Sequence, residues 1–333
     1  MGAIGHSPVS GLGYGSFADV FPLYRDRSVG VHGKWVTAHN TYLEVFEDLG
    51  LFFGALLIAS IALLAYQTVK GVTTRQSGAT VPCVVAGVAA LVGVHSLASS
   101  GLQIQAVTLT FAALLGAGVA QSVGSQPAVK AVRGVRLVTL IVVAACGLLI
   151  WKGWEIVGFR LAQGRAQDRA EAASAWTSVS GVASYALGAL VSAALEPINP
   201  QTVAHRLDEI DALLSVQPLA PQHWLSLSAM RRLAGQPMEK VLAALRLSFS
   251  TGPNEGEVLL QRALFCLSMW EDLPAAIQWR VARDLAVPGY SDPDKVRLRN
   301  VILSQPQSVR TSVRDLMREQ GAALVESLLE LGL

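Results

Sequence analysis

The chain lacks acidic residues over the long stretch between Asp48 and Glu155, and charged residues make up only 15% of its 333 residues. Soluble globular proteins carry about 25% charged residues. Disordered chains and nucleic-acid-binding chains depend on a high charge content. The shortage therefore excludes both classes and indicates a membrane protein with no nucleic-acid partner.

Cysteine is also scarce. The three cysteines lie far apart in the sequence, and two of them fall in apolar runs: Cys83, Cys146 and Cys266. Disulfide frameworks and cysteine metal sites use closely spaced sets of cysteines. We therefore expect no disulfide framework and no metal site.

The sequence contains four long apolar runs, at residues 49–69, 81–98, 101–121 and 135–151. Crossing the hydrocarbon of a bilayer takes about 20 residues of helix. The first and third runs have that length, while the second and fourth are shorter. We predict an all-α polytopic membrane protein with about four transmembrane helices, and buried helices of a soluble protein are the alternative.

Basic residues mark the loops between these runs. Lys70 and Arg75 follow the first run, and Lys130, Arg133 and Arg136 follow the third. In a four-span arrangement both loops lie on one side, which the positive-inside rule makes cytoplasmic. This predicts a periplasmic segment at 1–48, a membrane domain at 49–152 and a periplasmic domain at 153–333.

The N-terminal segment is hard to export on its own. It carries Arg25, Arg27 and Lys34, and no signal peptide precedes it in the sequence. We therefore expect that further spans lie upstream, either in a longer protein or in a separate transmembrane half.

The region from 153 onwards has the composition of a soluble domain, with 17 basic and 19 acidic residues. Its apolar residues recur at helical spacing between prolines, which predicts consecutive amphipathic helices. Pro237 and Pro274 begin two similar stretches, at a spacing close to the period of about 34 residues of tetratricopeptide repeats. A tetratricopeptide-like array and a plain helical bundle are the alternatives, and either would dock a partner protein or a glycan.

The N-terminal segment holds the candidate chemistry. Thr41 and Glu44 have the spacing of a capping box, which predicts a helix that enters the first span. His39 and Asn40 precede this helix, whose positive end favours a neutral imidazole that can accept a proton. The alternative is that both residues only cap the helix.

Arg25 and Arg27 are the second feature of this segment. A guanidinium presents a planar set of donors that matches phosphate oxygens. The alternatives are a solvated charge pair with Asp26, or interfacial anchoring of the first span beside Tyr24.

Two segments resemble the O-antigen ligase and O-antigen polymerase superfamily. The first has a glycine-rich turn, which contains Gly11, Gly13, Gly15 and Phe17 in this chain. A Tyr-Arg pair follows at Tyr24-Arg25, and then a His-Asn pair at His39-Asn40. Nine residues separate this last pair from a glycine, Gly50. The second begins at His95 and is similar to later spans of the family, although Ser99 stands where an acidic residue is frequent.

The resemblance implies glycosyl transfer from an undecaprenyl-diphosphate-linked glycan to lipid A core or to another glycan, in a bacterial inner membrane, without cofactor or metal. It implies His39 as the catalytic base and Arg25 as the diphosphate contact, with Arg27, Tyr24 and Asn40 binding substrate. It leaves ligase and polymerase open. The competing hypothesis is a membrane-anchored helical scaffold without activity, which binds a periplasmic partner.

Overall fold

The computed structural model describes residues 2–31, 33–74, 78–123, 147, 151, 153–165, 169–179, 182–195, 206–285 and 291–320. All regular elements in these residues are helical, which confirms the predicted all-α class. The chain divides into two compact units, Met1–Tyr24 with Trp35–Leu149 and Arg25–Lys34 with Ile150–Leu333. In this division residues 25–34 belong to the second unit, whereas the segment predicted at 1–48 includes them.

Five helices are described in the first unit: α1 (Gly2–His6), α2 (Phe17–Tyr24), α3 (Thr41–Thr74), α4 (Thr80–His95) and α5 (Gln105–Val123). The last three pack against one another around a small apolar core that includes Val85, Phe111 and Leu115. Gly118 allows close packing here, because a Cβ at this position would lie 2.7 Å from the Val85 side chain. Small residues serve the same purpose in membrane helix bundles.

Two described helices are long and apolar enough to cross a membrane, Thr41–Thr74 and Gln105–Ser122. Their apolar side chains are mostly exposed, with Leu63 of α3 58% and Leu109 of α5 70% accessible. The apolar helix α4 has only 16 residues. The fourth predicted run, at 135–151, lies outside the described residues except for 147 and 151. The structure therefore supports a membrane protein by the length and composition of two helices, not the predicted number of four spans.

The second unit contains nine helices with described bounds: α6 (Arg169–Ser174), α7 (Ala183–Leu195), α8 (Leu207–Val216), α9 (Pro221–Leu233), α10 (Met238–Thr251), α11 (Gly256–Leu267), α12 (Ala275–Leu285), α13 (Asp292–Leu303) and α14 (Gln307–Glu319). Residues 153–165 are helical as well. Prolines precede helices as the sequence predicts, with Pro237 before α10 and Pro274 before α12. Consecutive helices pack together, most extensively α9 with α10.

One apolar core joins helices α9 to α14. Leu259, Leu298 and Val313 are fully buried in it. Val31 is 4% exposed in the same core, so the short segment Arg25–Lys34 contributes an apolar side chain to this unit. Burying a valine side chain stabilises a fold by about 1.5–3 kcal/mol, which helps to hold this distant piece of sequence in place.

Candidate functional site

The helix α3 begins where the sequence places its most specific motif. Asn40 is the residue before the helix, and its Oδ1 accepts a hydrogen bond from the Leu43 amide at 3.0 Å. An Asn side chain in this position satisfies one of the free amides at the start of a helix. The side chain of Asn40, predicted to bind substrate, is thus engaged in capping, as its alternative interpretation stated.

The predicted capping box is wrong in its register. The Glu44 carboxylate accepts hydrogen bonds from the Ala38 amide at 3.3 Å and the Ser100 hydroxyl at 3.1 Å. The Thr41 hydroxyl donates to the Ser99 carbonyl at 2.8 Å rather than capping. Asn40 takes the capping position one residue earlier, which frees both side chains for tertiary contacts.

His39 precedes the cap and is exposed. Its φ is 50°, and no other non-glycine residue in the described part of the chain has a positive φ. Such a conformation costs about 1–2 kcal/mol and is found at functional sites and tight turns. The ring has an edge contact with Trp35, at 6.0 Å between centroids.

The second motif of the family resemblance packs directly on the first. The turn after α4 supplies carbonyl oxygens to the start of α3, where the Ser96 oxygen accepts from the Thr41 amide at 3.0 Å. The Leu97 oxygen accepts from Asn40 Nδ2 at 2.8 Å. Tyr42 extends this contact by donating its hydroxyl to the Gly93 carbonyl at 2.8 Å. The segments around His39 and His95 are therefore brought together.

The glycine-rich turn contacts α3 further along the helix, at Glu47, Asp48 and Leu51. The helix α3 is interrupted at Gly50, with φ 76° and ψ 169°. The turn supplies replacement backbone hydrogen bonds on both sides of the break, from the Leu12 amide to the Glu47 carbonyl at 2.8 Å and from the Leu51 amide to the Pro8 carbonyl at 2.7 Å. It thereby satisfies backbone groups that the interruption leaves without helical partners.

Two of the glycines are required by this crossing. A Cβ on Gly11 would lie 2.2 Å from the Asp48 carbonyl oxygen, and one on Gly50 would lie 2.2 Å from the Val9 carbonyl oxygen. A Cβ added to Gly13 or Gly15 would meet no neighbouring atom, although both glycines have a positive φ. The glycine pattern thus marks the place where the backbone of the turn crosses the backbone of α3.

An acidic face of α3 lies beneath this crossing. Glu44, Glu47 and Asp48 are 4%, 6% and 3% exposed. Asp48 Oδ1 accepts from the Ser16 amide at 3.3 Å, while Glu47 Oε1 is buried without a hydrogen-bond partner in the part of the chain that the structure describes. Their spacing at i, i+3 and i+4 is the sequence signal that one face of the helix carries all three.

Tyr24 lies at the end of α2, and its hydroxyl is 2.8 Å from His6 Nδ1. The two rings also have an edge contact at 5.5 Å. No described contact links Tyr24 to the start of α3, so its predicted role in substrate binding stays a prediction.

Arg25 belongs to the second unit, where its side chain is fully buried. It donates from Nε to the Gly30 carbonyl at 2.9 Å and from Nη1 to the Gly33 carbonyl at 2.9 Å. Nη1 also lies 3.1 Å from Glu255 Oε2. Burial raises the pKa of Glu255, and the Arg25 charge opposes this shift. The described geometry gives Arg25 a structural role, and its contact with a diphosphate stays a prediction.

Arg27 also lies in the second unit, one residue beyond Asp26, which caps the 3₁₀ turn Arg27–Val29. Its Nη2 is 2.7 Å from Asp284 Oδ1, and its Nε donates to Asn254 at 3.1 Å. The side chain remains 34% exposed. The five predicted site residues are therefore divided, with Tyr24, His39 and Asn40 in the first unit and Arg25 and Arg27 in the second.

Comparison with known proteins identifies no relative: no family model, no curated protein and no solved structure matches the chain. Within the described residues no group of three or more His, Cys, Asp or Glu side chains is arranged to hold a metal ion. The start of α3 has the exposed imidazole of His39, whose charge acts on the buried Glu44 carboxylate.

Proposed function

We propose that this chain acts in glycosyl transfer at a membrane surface, with the start of α3 as its reaction site. The donor is an undecaprenyl-diphosphate-linked glycan, and the acceptor is lipid A core or another glycan. One observation carries the proposal: the turn after His95 hydrogen-bonds to the His39-Asn40 start of α3, and the glycine-rich turn hydrogen-bonds to the same helix at Glu47, Asp48 and Leu51. These three segments are widely separated in sequence, and the family resemblance rests on them.

His39 is the base in this proposal. An acceptor hydroxyl oxygen attacks the anomeric carbon of the donor, the bond from that carbon to the diphosphate oxygen breaks, and the hydroxyl proton passes to the imidazole. The exposed ring suits this role, because substrate can reach it. The cap at Asn40 and the turn after α4 hold the backbone of the preceding residue in its strained form.

The proposal includes a membrane arrangement. The chain has four spans in a bacterial inner membrane, with the N-terminal segment and the C-terminal helical domain in the periplasm. The helix pairs α9–α10 and α11–α12 support a tetratricopeptide-like array that docks an upstream transmembrane half or a periplasmic protein. The two long apolar helices and the basic loops around Lys70 and Lys130 are what support this topology.

A non-catalytic scaffold is the second candidate function. Two observations favour it: the Asn40 side chain caps a helix, and the Arg25 side chain is buried against Glu255. Both residues then serve the fold alone, and the helical domain serves to bind a partner.

The deciding experiment is glycan transfer in membranes of a strain that lacks the endogenous protein. His39→Ala is expected to lower the transfer rate about 10²–10⁴-fold, the usual contribution of a general base. His223→Ala in α9 of the second unit is the matched control and should retain the rate, with both proteins at equal abundance. Equal transfer by His39→Ala and the unmutated chain would exclude His39 as the base. Absence of transfer by the unmutated chain would favour the scaffold.

A further inference from the structure

Four arginines surround one buried carboxylate in the second unit. Asp284 of α12 is 1% exposed. Its Oδ1 lies 2.7 Å from Arg27 Nη2 and 3.5 Å from Arg283 Nη2. Arg262 and Arg280 complete the group, because their charges also act on Asp284. Both guanidiniums lie over the Phe249 ring, at 4.5 Å and 4.7 Å from its centroid.

In the described residues, the charges of four arginines act on one carboxylate in this arginine cluster. Burial raises the pKa of Asp284, and the charges of Arg262, Arg283, Arg27 and Arg280 oppose the shift, so all four act on one carboxylate. Burial lowers the pKa of Arg280, and the charges of Arg283 and Arg27 lower it further, whereas Asp284 raises it. Like charges therefore remain close together after the carboxylate has been shared.

Two guanidiniums of this cluster also have a buried donor atom. The Nε atoms of Arg280 and Arg283 are buried and have no hydrogen-bond partner in the described ranges. Arg280 donates from Nη2 to the Phe249 carbonyl at 2.9 Å. A buried donor without an acceptor costs about 1–3 kcal/mol, and an added anion would lower the repulsion among the arginine charges.

Three of the four arginines can be reached from solvent. The side chains of Arg27 and Arg283 are 34% and 33% exposed, and Arg280 is half-buried. Arg262 lies beneath them, fully buried, and donates to the Ser248 and Gly252 carbonyls. The exposed arginines come from a turn early in the chain and from one face of α12, where positions 280 and 283 are three residues apart.

We propose that Arg27, Arg280 and Arg283 form a binding site for an anion of the phosphate class. Planar guanidiniums match tetrahedral phosphate oxygens, and several of them around one anion are the arrangement that phosphate sites use. A diphosphate would bring negative charge and acceptor oxygens to the accessible parts of these three side chains. The site lies in the second unit and does not depend on transfer chemistry at His39.

The test is binding of inorganic pyrophosphate to the full chain in detergent, measured by isothermal titration calorimetry. Arg283→Gln and Arg280→Gln are each expected to weaken binding roughly tenfold or more, since a charge-assisted hydrogen bond is lost. Arg314→Gln is the matched control, because Arg314 of α14 is also 33% exposed beside a neighbouring aspartate. It should bind as the unmutated chain does.

One further variant and a second binding assay make the outcome decisive. Arg283→Lys keeps the charge but loses the planar donors, so it should bind more weakly than the unmutated chain. Thermal unfolding without pyrophosphate checks that each variant is folded. Vesicles with and without a polyprenyl diphosphate separate the sources: loss of vesicle binding in Arg283→Gln identifies a lipid headgroup, and loss of pyrophosphate binding alone identifies a free anion.

Equal pyrophosphate affinity for Arg283→Gln, Arg280→Gln and Arg314→Gln, together with equal vesicle binding, would overturn the proposal. The arginine cluster would then serve only to hold residues 25–34 in the second unit.

Discussion

Removal of the Arg25 guanidinium tests the most deeply buried ion pair in the described residues. The Arg25 side chain is 0% exposed and Glu255 is 7% exposed, with 3.1 Å between Nη1 and Oε2. Arg25→Met keeps much of the side-chain volume but leaves the carboxylate buried without its charge partner. Breaking such a pair costs about 3–5 kcal/mol, a large fraction of the 5–15 kcal/mol that usually stabilises a domain.

A double-mutant cycle separates this effect from lost packing. Glu255→Met removes the opposite partner, and the double variant removes both charges. We expect the double variant to be more stable than Arg25→Met, because a buried ion pair can be replaced by apolar side chains at little net cost. The hydrogen bonds from Arg25 to Gly30 and Gly33 are lost in both, so their contribution cancels in the coupling energy.

Acidity supplies an independent check. The pKa of Glu255 is raised by burial and held down by Arg25, so it rises further in Arg25→Met. A carboxyl with a raised folded pKa favours the fold fully below its unfolded pKa and loses this contribution as pH rises through the folded pKa. The penalty of Arg25→Met should therefore be smaller near about pH 5 than near about pH 8.

The assay is urea unfolding of the full chain in detergent, monitored by tryptophan fluorescence at about pH 5 and at about pH 8. Trp270 lies in the same core as Val31 and reports on the second unit. A loss below about 1 kcal/mol for Arg25→Met, or a coupling energy near zero, would refute the structural role of the pair. Arg25 would then be available for the diphosphate contact that the family resemblance implies.

Further predictions concern single residues. Asn40→Ala should cost about 0.5–2 kcal/mol through loss of the cap, measured by thermal unfolding, whereas Asn40→Asp should cost less because it keeps the acceptor for Leu43. Gly50→Ala should destabilise by more than about 2 kcal/mol, since it adds a Cβ at a positive φ and at a backbone contact, while Gly87→Ala meets open space in α4 and should be neutral or stabilising. Burial raises the pKa of the Cys266 thiol to about 12, so thiol reagents should label it only as fast as the protein unfolds; rapid labelling would contradict its burial. A reporter fused after the last residue should be active in the periplasm, and cytoplasmic activity would contradict the topology.

Local rules predicted much of the fold from the sequence. Helix starts after Pro237 and Pro274 follow from the fixed φ of proline, and the apolar helix α5 follows from its composition. The interruption of α3 was missed, because Gly50 lies in a run that otherwise favours helix throughout. Its cause is a tertiary contact with the turn at Gly11, and periodicity within one segment contains no information about such a contact.

The candidate site was predictable only in part. The start of α3 was placed within one residue, since caps are local, but Asn40 rather than Thr41 caps it. The family resemblance implies Arg25 as the diphosphate contact and Arg27 as a substrate-binding residue of the same site as His39. Their charged partners, Glu255 and Asp284, lie far along the chain, and only three-dimensional packing assigns them.

The segment Arg25–Lys34 also has a consequence for the order of folding. Its partner Glu255 follows Arg25 by 230 positions, so translation at about 5–20 residues per second separates their synthesis by roughly 10–50 s. During that interval Val31 and Arg25 have no completed core to enter. The helices of the second unit must therefore close around a segment made long before them, and the slowest contacts of the chain are expected to be those that bind its early turn.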